Sequence, residues 1–318
     1  IIIRIENMTN TINPHNTVAA VVITFNRLAF LKEIIQQERI SSNGEYWIRK
    51  SPSEVCIDYI EGFYLFYDID NKTDHWIFND GSPSIMLFPD RNNKARINID
   101  GKENIVKSGW IDAGVMKKVY VRYLEDLDYI LIIRFKPEYF HKLFNLQPSF
   151  FKCRNIATFT EINFDRELLN QVFATDSIDN KITVVELYIK SLITTKDRIG
   201  LLNSAVELIN QTKGQISVAN VIKEIGASYK WLERNFSKYM GLTPKEYIQL
   251  QRFISAYLNL HAEPDDLLNV AIANGYYDYN HFLKEFKDFT GKTPVEYISR
   301  KEVPFTENFN QKSIFTTL

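Results

Sequence analysis

The chain has 318 residues, enough for two ordinary domains, and at 45% hydrophobic and 14% aromatic it can bury a sizeable core. Its formal net charge of -1 argues against a protein that coats nucleic acid, and no run of 18 apolar residues marks a membrane span. The two cysteines, Cys56 and Cys153, stand far apart with no Cys-x-x-Cys, which disfavours a disulfide framework or a thiolate metal site and suits a reducing cytoplasm. The chain begins at Ile1, and no small-residue cleavage site of a secretory signal stands out in its opening residues.

Residues 1–40 read as an N-terminal extension. Val18 to Thr24 is an apolar, β-branched run, followed by Asn26, Arg27 and a helical stretch from Leu28 to Gln37. A strand feeding a helix is the plain expectation. The run is also similar to the opening strand of family-two glycosyltransferases, over about twenty residues only. That family needs an acidic metal motif. The one Asp-x-Asp in the vicinity, Asp68 and Asp70, comes too early and sits in an aromatic strand pattern. A glycosyltransferase is therefore the alternative reading, not the main one.

Residues 41–150 carry short strand-like runs in close succession. They are Tyr46–Arg49, Val55–Ile60, Phe63–Tyr67, His75–Phe78, Ser84–Phe88, Ala95–Ile99, Asn104–Trp110, Lys117–Arg122 and Tyr129–Phe135. Asn79, Asp80, Gly81 and Pro83, and Asp100 with Gly101, are turn signals. Many short strands with regular turns predict an antiparallel β-barrel or sandwich. The five histidines, His15, His75, His141, His261 and His281, show no His-x-His pair, so no metal and no cofactor are expected. No Ser-His-Asp, P-loop or dinucleotide pattern appears, and no catalytic residue is assigned. His141 reads as a surface residue. Phe63, Tyr64, Phe66, Tyr67, Trp76, Phe78 and Trp110 read as core, and no residue is marked for an effector.

Residues 137–214 turn helical, with a short stretch at Glu138–Leu146 and amphipathic stretches at Phe164–Phe173, Lys181–Thr194 and Ile199–Thr212. They serve either a dimer contact or plain packing within a domain.

The last hundred residues hold one pattern written twice at an offset of 50. Phe236 and Phe286, Gly241 and Gly291, Thr243 and Thr293, Pro244 and Pro294, Glu246 and Glu296, Tyr247 and Tyr297, Ile248 and Ile298 are identical pairs. A repeat of this length is a supersecondary unit. Ser228 and Asp278 suit an N-cap, Gly241 and Gly291 suit a left-handed C-terminal stop, and Pro244 and Pro294 suit the first turn of a new helix. A shorter helix and a glycine turn, at Gly226 and at Gly275, precede each capped helix. Helix, glycine turn, helix is the helix-turn-helix pattern, whose second helix can lie in a major groove. With Leu232 and Phe236 facing the core, Lys230, Glu233, Arg234 and Ser237 face outward, and Lys238 follows them. With Phe282, Phe286 and Phe289 buried, Tyr279, Asn280, Leu283 and Lys284 face outward. Arg and Lys can pair with guanine O6 and N7, and Asn with adenine N6 and N7. A helix from Pro244 to about His261, spanning ~25 Å, joins the two units. Residues 217–301 hold 11 Lys and Arg against 10 Asp and Glu, so attraction to DNA must come from the local faces.

Residues 205–301 resemble the DNA-binding domain of the AraC/XylS family of bacterial transcription regulators. The likeness rests on the double motif and on Ala271, Gly275, Tyr276, Phe282, Phe286, Gly291, Thr293 and Pro294. Asn79–Phe88 and Ile133–Phe140 are similar to the cupin-like sensor of some members. The resemblance implies an α+β chain: a β-barrel (cupin-like) sensor over 41–150, a helical linker over 151–204, an all-α DNA-binding domain over 205–301 and a tail over 302–318. It implies a cytoplasmic, membrane-free regulator of transcription, an activator or a repressor. Double-stranded DNA and RNA polymerase are its implied partners, with a small-molecule effector and a homodimer in some members. Glu233 and Leu283 are unusual at base-contact positions.

Overall fold

Alternation along two long strands sets the architecture of the N-terminal half. The computed structural model describes residues 39–40, 46–69, 71, 74–77, 80–90, 92–147, 149–151, 156–162, 164–193, 200–262 and 266–299. The strand and helix expected over 18–37, the tail 302–318 and Cys153 lie outside the described residues. Strand β3 (Ile60–Ile69) pairs antiparallel with β10 (Leu127–Phe135), Phe63 opposite Ile133 and Tyr67 opposite Tyr129. Successive side chains of a strand point to opposite faces. Phe63, Leu65, Leu131 and Ile133 therefore enter one buried cluster, and Tyr64, Phe66, Ile130 and Ile132 enter another.

Around this pair the sheet runs β1 (Arg39–Ile40), β2 (Tyr46–Lys50), β3, β10, β5 (Ser84–Leu87), β8 (Gly109–Asp112), β11 (Ile156–Ala157). A second sheet runs β4 (His75–Ile77), β9 (Val119–Tyr123), β6 (Lys94–Ile99), β7 (Lys102–Lys107). The two sheets share a core in which Tyr64, Met86 and Trp110 of the first meet Ile97, Val121 and Tyr123 of the second. Helices cover the other face of the first sheet: α1 (Pro137–Leu143), α2 (Arg166–Phe173) and α3 (Ile178–Leu192). Leu168, Val172, Ile182, Val185 and Ile189 of α2 and α3 pack on that sheet, so these helices bury their apolar stripes within the N-terminal half.

Three local expectations change. Of the run Val55–Ile60, Val55–Tyr59 is a turn and only Ile60 joins a strand; the Cys56 and Ile57 N–H groups donate to the Ser53 carbonyl, and Val55 and Ile57 point to solvent. Among the described residues no strand pairs with Val55–Tyr59. The run 104–110 is broken at Ser108 (φ 70°) and Gly109 (φ 136°), and the chain leaves the second sheet for the first there. A Cβ at Gly109 would lie 1.9 Å from the Met86 carbonyl oxygen, so the close crossing requires glycine. The run beginning at Lys117 becomes a strand only at Val119, and 113–118 forms a strap toward the C-terminal half.

His141 is buried, at 1% exposure, not on the surface. It lies between Phe140, Phe151 and the backbone of Met240. Neither ring nitrogen has a hydrogen bond of good geometry, and burial pushes its pKa down to about 4. The surface expectation failed because the helix that carries His141 packs on the C-terminal half.

That half is all helix: α4 (Gly200–Gln211), α5 (Val218–Ile225), α6 (Tyr229–Met240), α7 (Pro244–Ala262), α8 (Leu267–Ala273), α9 (Tyr279–Thr290) and α10 (Pro294–Ser299). It has two apolar cores. Leu202, Val206 and Ile209 of α4 join Val221, Leu232 and Phe236 in one. Phe253, Tyr257, Val270, Phe282, Phe286 and Phe289 form the other. Phe253 and Phe289 stack with centroids 4.2 Å apart and planes 9° apart. Among the described residues no helix is long and apolar enough to cross a membrane.

Candidate nucleic-acid interface

Each unit is assembled by capping, and the two copies are capped alike. The Ser217 and Ser228 hydroxyls accept from the Asn220 and Trp231 N–H groups, at 3.1 and 3.2 Å. In the second copy Asp266 and Asp278 accept from Asn269 and His281, at 2.9 and 2.7 Å. Each such cap stabilises its helix by about 1 kcal/mol. Gly226, Gly241 and Gly291 stop α5, α6 and α9 in the left-handed region, at φ 69°, 69° and 78°.

The helices that follow start on reciprocal caps. The Thr243 N–H and hydroxyl donate to Glu246 Oε2 at 2.7 and 2.8 Å, and the Glu246 N–H donates back at 3.2 Å. Thr293 and Glu296 repeat this at 2.8, 2.9 and 3.3 Å. This is the capping box. Sequence reading used Thr and Pro here and passed over the glutamate, although both copies show Thr-x-x-Glu.

In α6, Leu232, Phe236 and Met240 are buried and Lys230, Glu233, Arg234, Ser237 and Lys238 are exposed. In α9, Phe282, Phe286 and Phe289 are buried, and Asn280 and Lys284 are exposed. Tyr279 and Leu283 are half-buried, and Tyr279 packs on the core edge against Phe282. All nine side chains therefore sit on the outer halves of α6 and α9, with Tyr279 and Leu283 least free. Lys284 also lines a cleft of about 750 Å³ between the halves, with Val115, Lys118, Leu242 and His281.

Helix α7 joins the units as one uninterrupted helix of 19 residues, ~28 Å long. A buried charge cluster fixes α9 to it. Arg252 Nη2 of α7 donates to Glu285 Oε2 at 2.7 Å, and the Tyr276 hydroxyl donates to Glu285 Oε1 at 2.7 Å. The Arg252 guanidinium lies over the Tyr276 ring at 4.7 Å. Burial opposes the charge of Arg252, yet the bonds to Glu285 hold its pKa above the usual value. Burial, then the Glu285 charge, pushes the Tyr276 phenol up. Sequence reading missed Glu285. Its position three residues after Phe282 and four before Phe289, at the edge of the apolar stripe, was the available signal.

Residues 221–300 match the family model described as a helix-turn-helix domain. The chain is 37% identical over 78 residues to the uncharacterized HTH-type transcriptional regulator YidL of Escherichia coli (strain K12), covering 24% of this chain and 26% of that protein. It is 24% identical over 87 residues to the HTH-type transcriptional activator RhaS of Pectobacterium atrosepticum, covering 27% and 31%. Against the probable transcription factor PqrA of Proteus vulgaris it is 26% identical over 94 residues, covering 30% and 77%. The match thus spans less than a third of the length of the first two of these relatives. Of solved structures, ToxT from Vibrio cholerae O395 aligns with a TM-score of 0.42 at 13% identity, over 74% of this chain and 97% of that one; at that score the likeness carries no argument. The C-terminal part of this chain is a helix-turn-helix domain of the AraC type.

Proposed function

We propose that the whole chain is a transcription regulator that reads duplex DNA with α6 and α9 and takes its signal through the N-terminal sheets. The observation that carries this is the duplicated unit, N-capped by serine in one copy and by aspartate in the other, with each second helix showing a polar outer face and both fixed to one helix. Arg234 and Lys230 on α6, and Asn280 and Lys284 on α9, are the base-reading side chains, with Ser237 and Lys238 beside them for phosphate. Glu233, Tyr279 and Leu283 complete the faces. Two recognition helices joined by one helix ~28 Å long suit successive major grooves, which recur every ~34 Å on one side of the duplex. One chain then reads an asymmetric site with two unlike patches.

The likeness to RhaS, a transcriptional activator, supports activation, and RNA polymerase is the partner that activation requires. A small molecule bound by the N-terminal half, a cytoplasmic setting, and a homodimer belong to the same reading. No catalytic step is assigned to the chain. The glycosyltransferase alternative rests on residues 18–37, outside the described residues, and nothing in the rest of the chain favours it. The test is selection of bound duplexes from random sequence, then affinity against salt. A few neutralised phosphates should make log affinity fall linearly with log salt, by a slope of about -0.9 per phosphate. A folded chain that enriches no sequence would overturn the proposal.

A further inference from the structure

One side chain of the N-terminal half belongs to both cores of the C-terminal half. Val115, in the strap between β8 and β9, packs against the core of the first helix-turn-helix unit and against that of the second. Tyr120 adds to the second core and Tyr139 of α1 to the first.

The strap also supplies what the end of α9 lacks. The last carbonyls of a helix have no partner within it. The Lys118 N–H donates to the Phe289 carbonyl at 2.9 Å, and the Tyr120 hydroxyl donates to the Thr290 carbonyl at 3.2 Å. The Lys117 ammonium pairs with the Asp288 carboxylate and lies 4.8 Å from the Phe289 ring centre. Lys292 returns over the Tyr120 ring at 5.7 Å. Lys118 adopts φ 52°, a backbone that costs a non-glycine residue and persists only when its surroundings demand it. A second contact holds α7 itself: Gln251 Nε2 donates to the Asp80 carbonyl at 2.6 Å, and Gly81 abuts Tyr247 and Leu250.

We infer that the strap 113–118, together with Tyr120 of β9, is a positioning element for DNA reading, setting the spacing and tilt of α9 relative to α6. The inference rests on the DNA-reading function proposed above. Between the units themselves the described links are α7 and one hydrogen bond, from Gln215 Nε2 to the Ala273 carbonyl at 3.0 Å. Long helices bend gently. A tilt of about 7° at the end of a ~28 Å helix moves its tip by ~3.4 Å, one base-pair step. A bridge touching both cores removes that freedom, and a signal that shifts the strap changes which spacing is read.

The test compares the full chain with the double variant Lys117→Ala/Tyr120→Phe, both positions lying outside the proposed base-reading faces. Spin labels at Lys223→Cys and Asn269→Cys, in a Cys56→Ala/Cys153→Ala background, report the distance between units without DNA. Affinities for the selected site, and for the same site with one base pair added between its patches, report reading. The parent strap should give a narrow distance distribution and lose about tenfold or more on the insertion, as a misplaced patch loses its base contacts. The strap variant should give a broader distribution and lose about threefold or less. An unchanged distribution, or an unchanged insertion penalty, overturns the inference. A parent chain that enriches no sequence, while the variant's distribution broadens, overturns the DNA reading and leaves the bridge standing.

Discussion

Glu285→Gln keeps the shape of a side chain that two donors share and removes its charge. Glu285 is 8% exposed and the Arg252 side chain 15%. The carboxylate accepts from Arg252 Nη2 at 2.7 Å, from Arg252 Nε at 3.4 Å and from Tyr276 at 2.7 Å. An amide has one acceptor oxygen. If it serves Arg252 Nη2, its NH2 faces Arg252 Nε, which cannot accept, and the Tyr276 hydroxyl must turn. Breaking a buried ion pair from one side costs about 3–5 kcal/mol. Arg252 keeps some solvent and the Tyr276 ring face, so the cost here should be about 2–3 kcal/mol. Hydrogen exchange read by mass spectrometry over 279–290 should then quicken about 30- to 150-fold where the second unit opens as a body. Arg252→Met in the same chain removes the orphaned cation, so the double variant should be more stable than the two single costs predict, by about 2 kcal/mol. Exchange within twofold of the parent chain, or strict additivity, would refute the role given to this cluster.

Other outcomes follow from single positions. Gly214→Ala should cost about 2–5 kcal/mol, combining a left-handed backbone (φ 69°) with a Cβ placed 2.4 Å from the Arg252 nitrogen and the Ile248 carbonyl oxygen, read as a lower urea midpoint. His141 has a folded pKa lowered to about 4, so its contribution is fully present above about pH 6.5 and is lost as pH falls toward 4. The loss should reach about 3 kcal/mol at most, and His141→Leu should flatten that part of the stability-against-pH curve without moving the curve above pH 7. Thr293→Ala should fray α10 by about 1 kcal/mol through loss of its capping box, seen as faster exchange over 294–299.

Local signals were the legible ones. Ser228, Asp278, Gly241, Gly291 and the two prolines act within one turn of chain, so reading them along the sequence placed α6, α7, α9 and α10 closely. Strand-like runs between turn signals likewise found β3, β5, β6 and β10. Failures came where a distant element decides. Val55 and Ile57 have strand propensity, but among the described residues no strand pairs with them. Ser108 and Gly109 break a run that looks continuous because the chain must change sheets beside Met86. His141 looked like a surface group and Glu285 drew no notice, because only tertiary packing buries them, the first against α6 and the second against α7. The strap at 113–118 was not legible, and its last residues read as strand, since the Phe289 carbonyl that the Lys118 N–H meets lies about 170 residues further along.

The claim that two unlike helices of one chain read two patches is tested most directly by base-pair footprints of the parent chain, Arg234→Ala and Lys284→Ala on the selected duplex. The account predicts two protected patches about one helical turn apart, with Arg234→Ala relaxing base preference in one and Lys284→Ala in the other, each by about 1–3 kcal/mol. A single protected patch, or two variants that disturb the same base pairs, would contradict it.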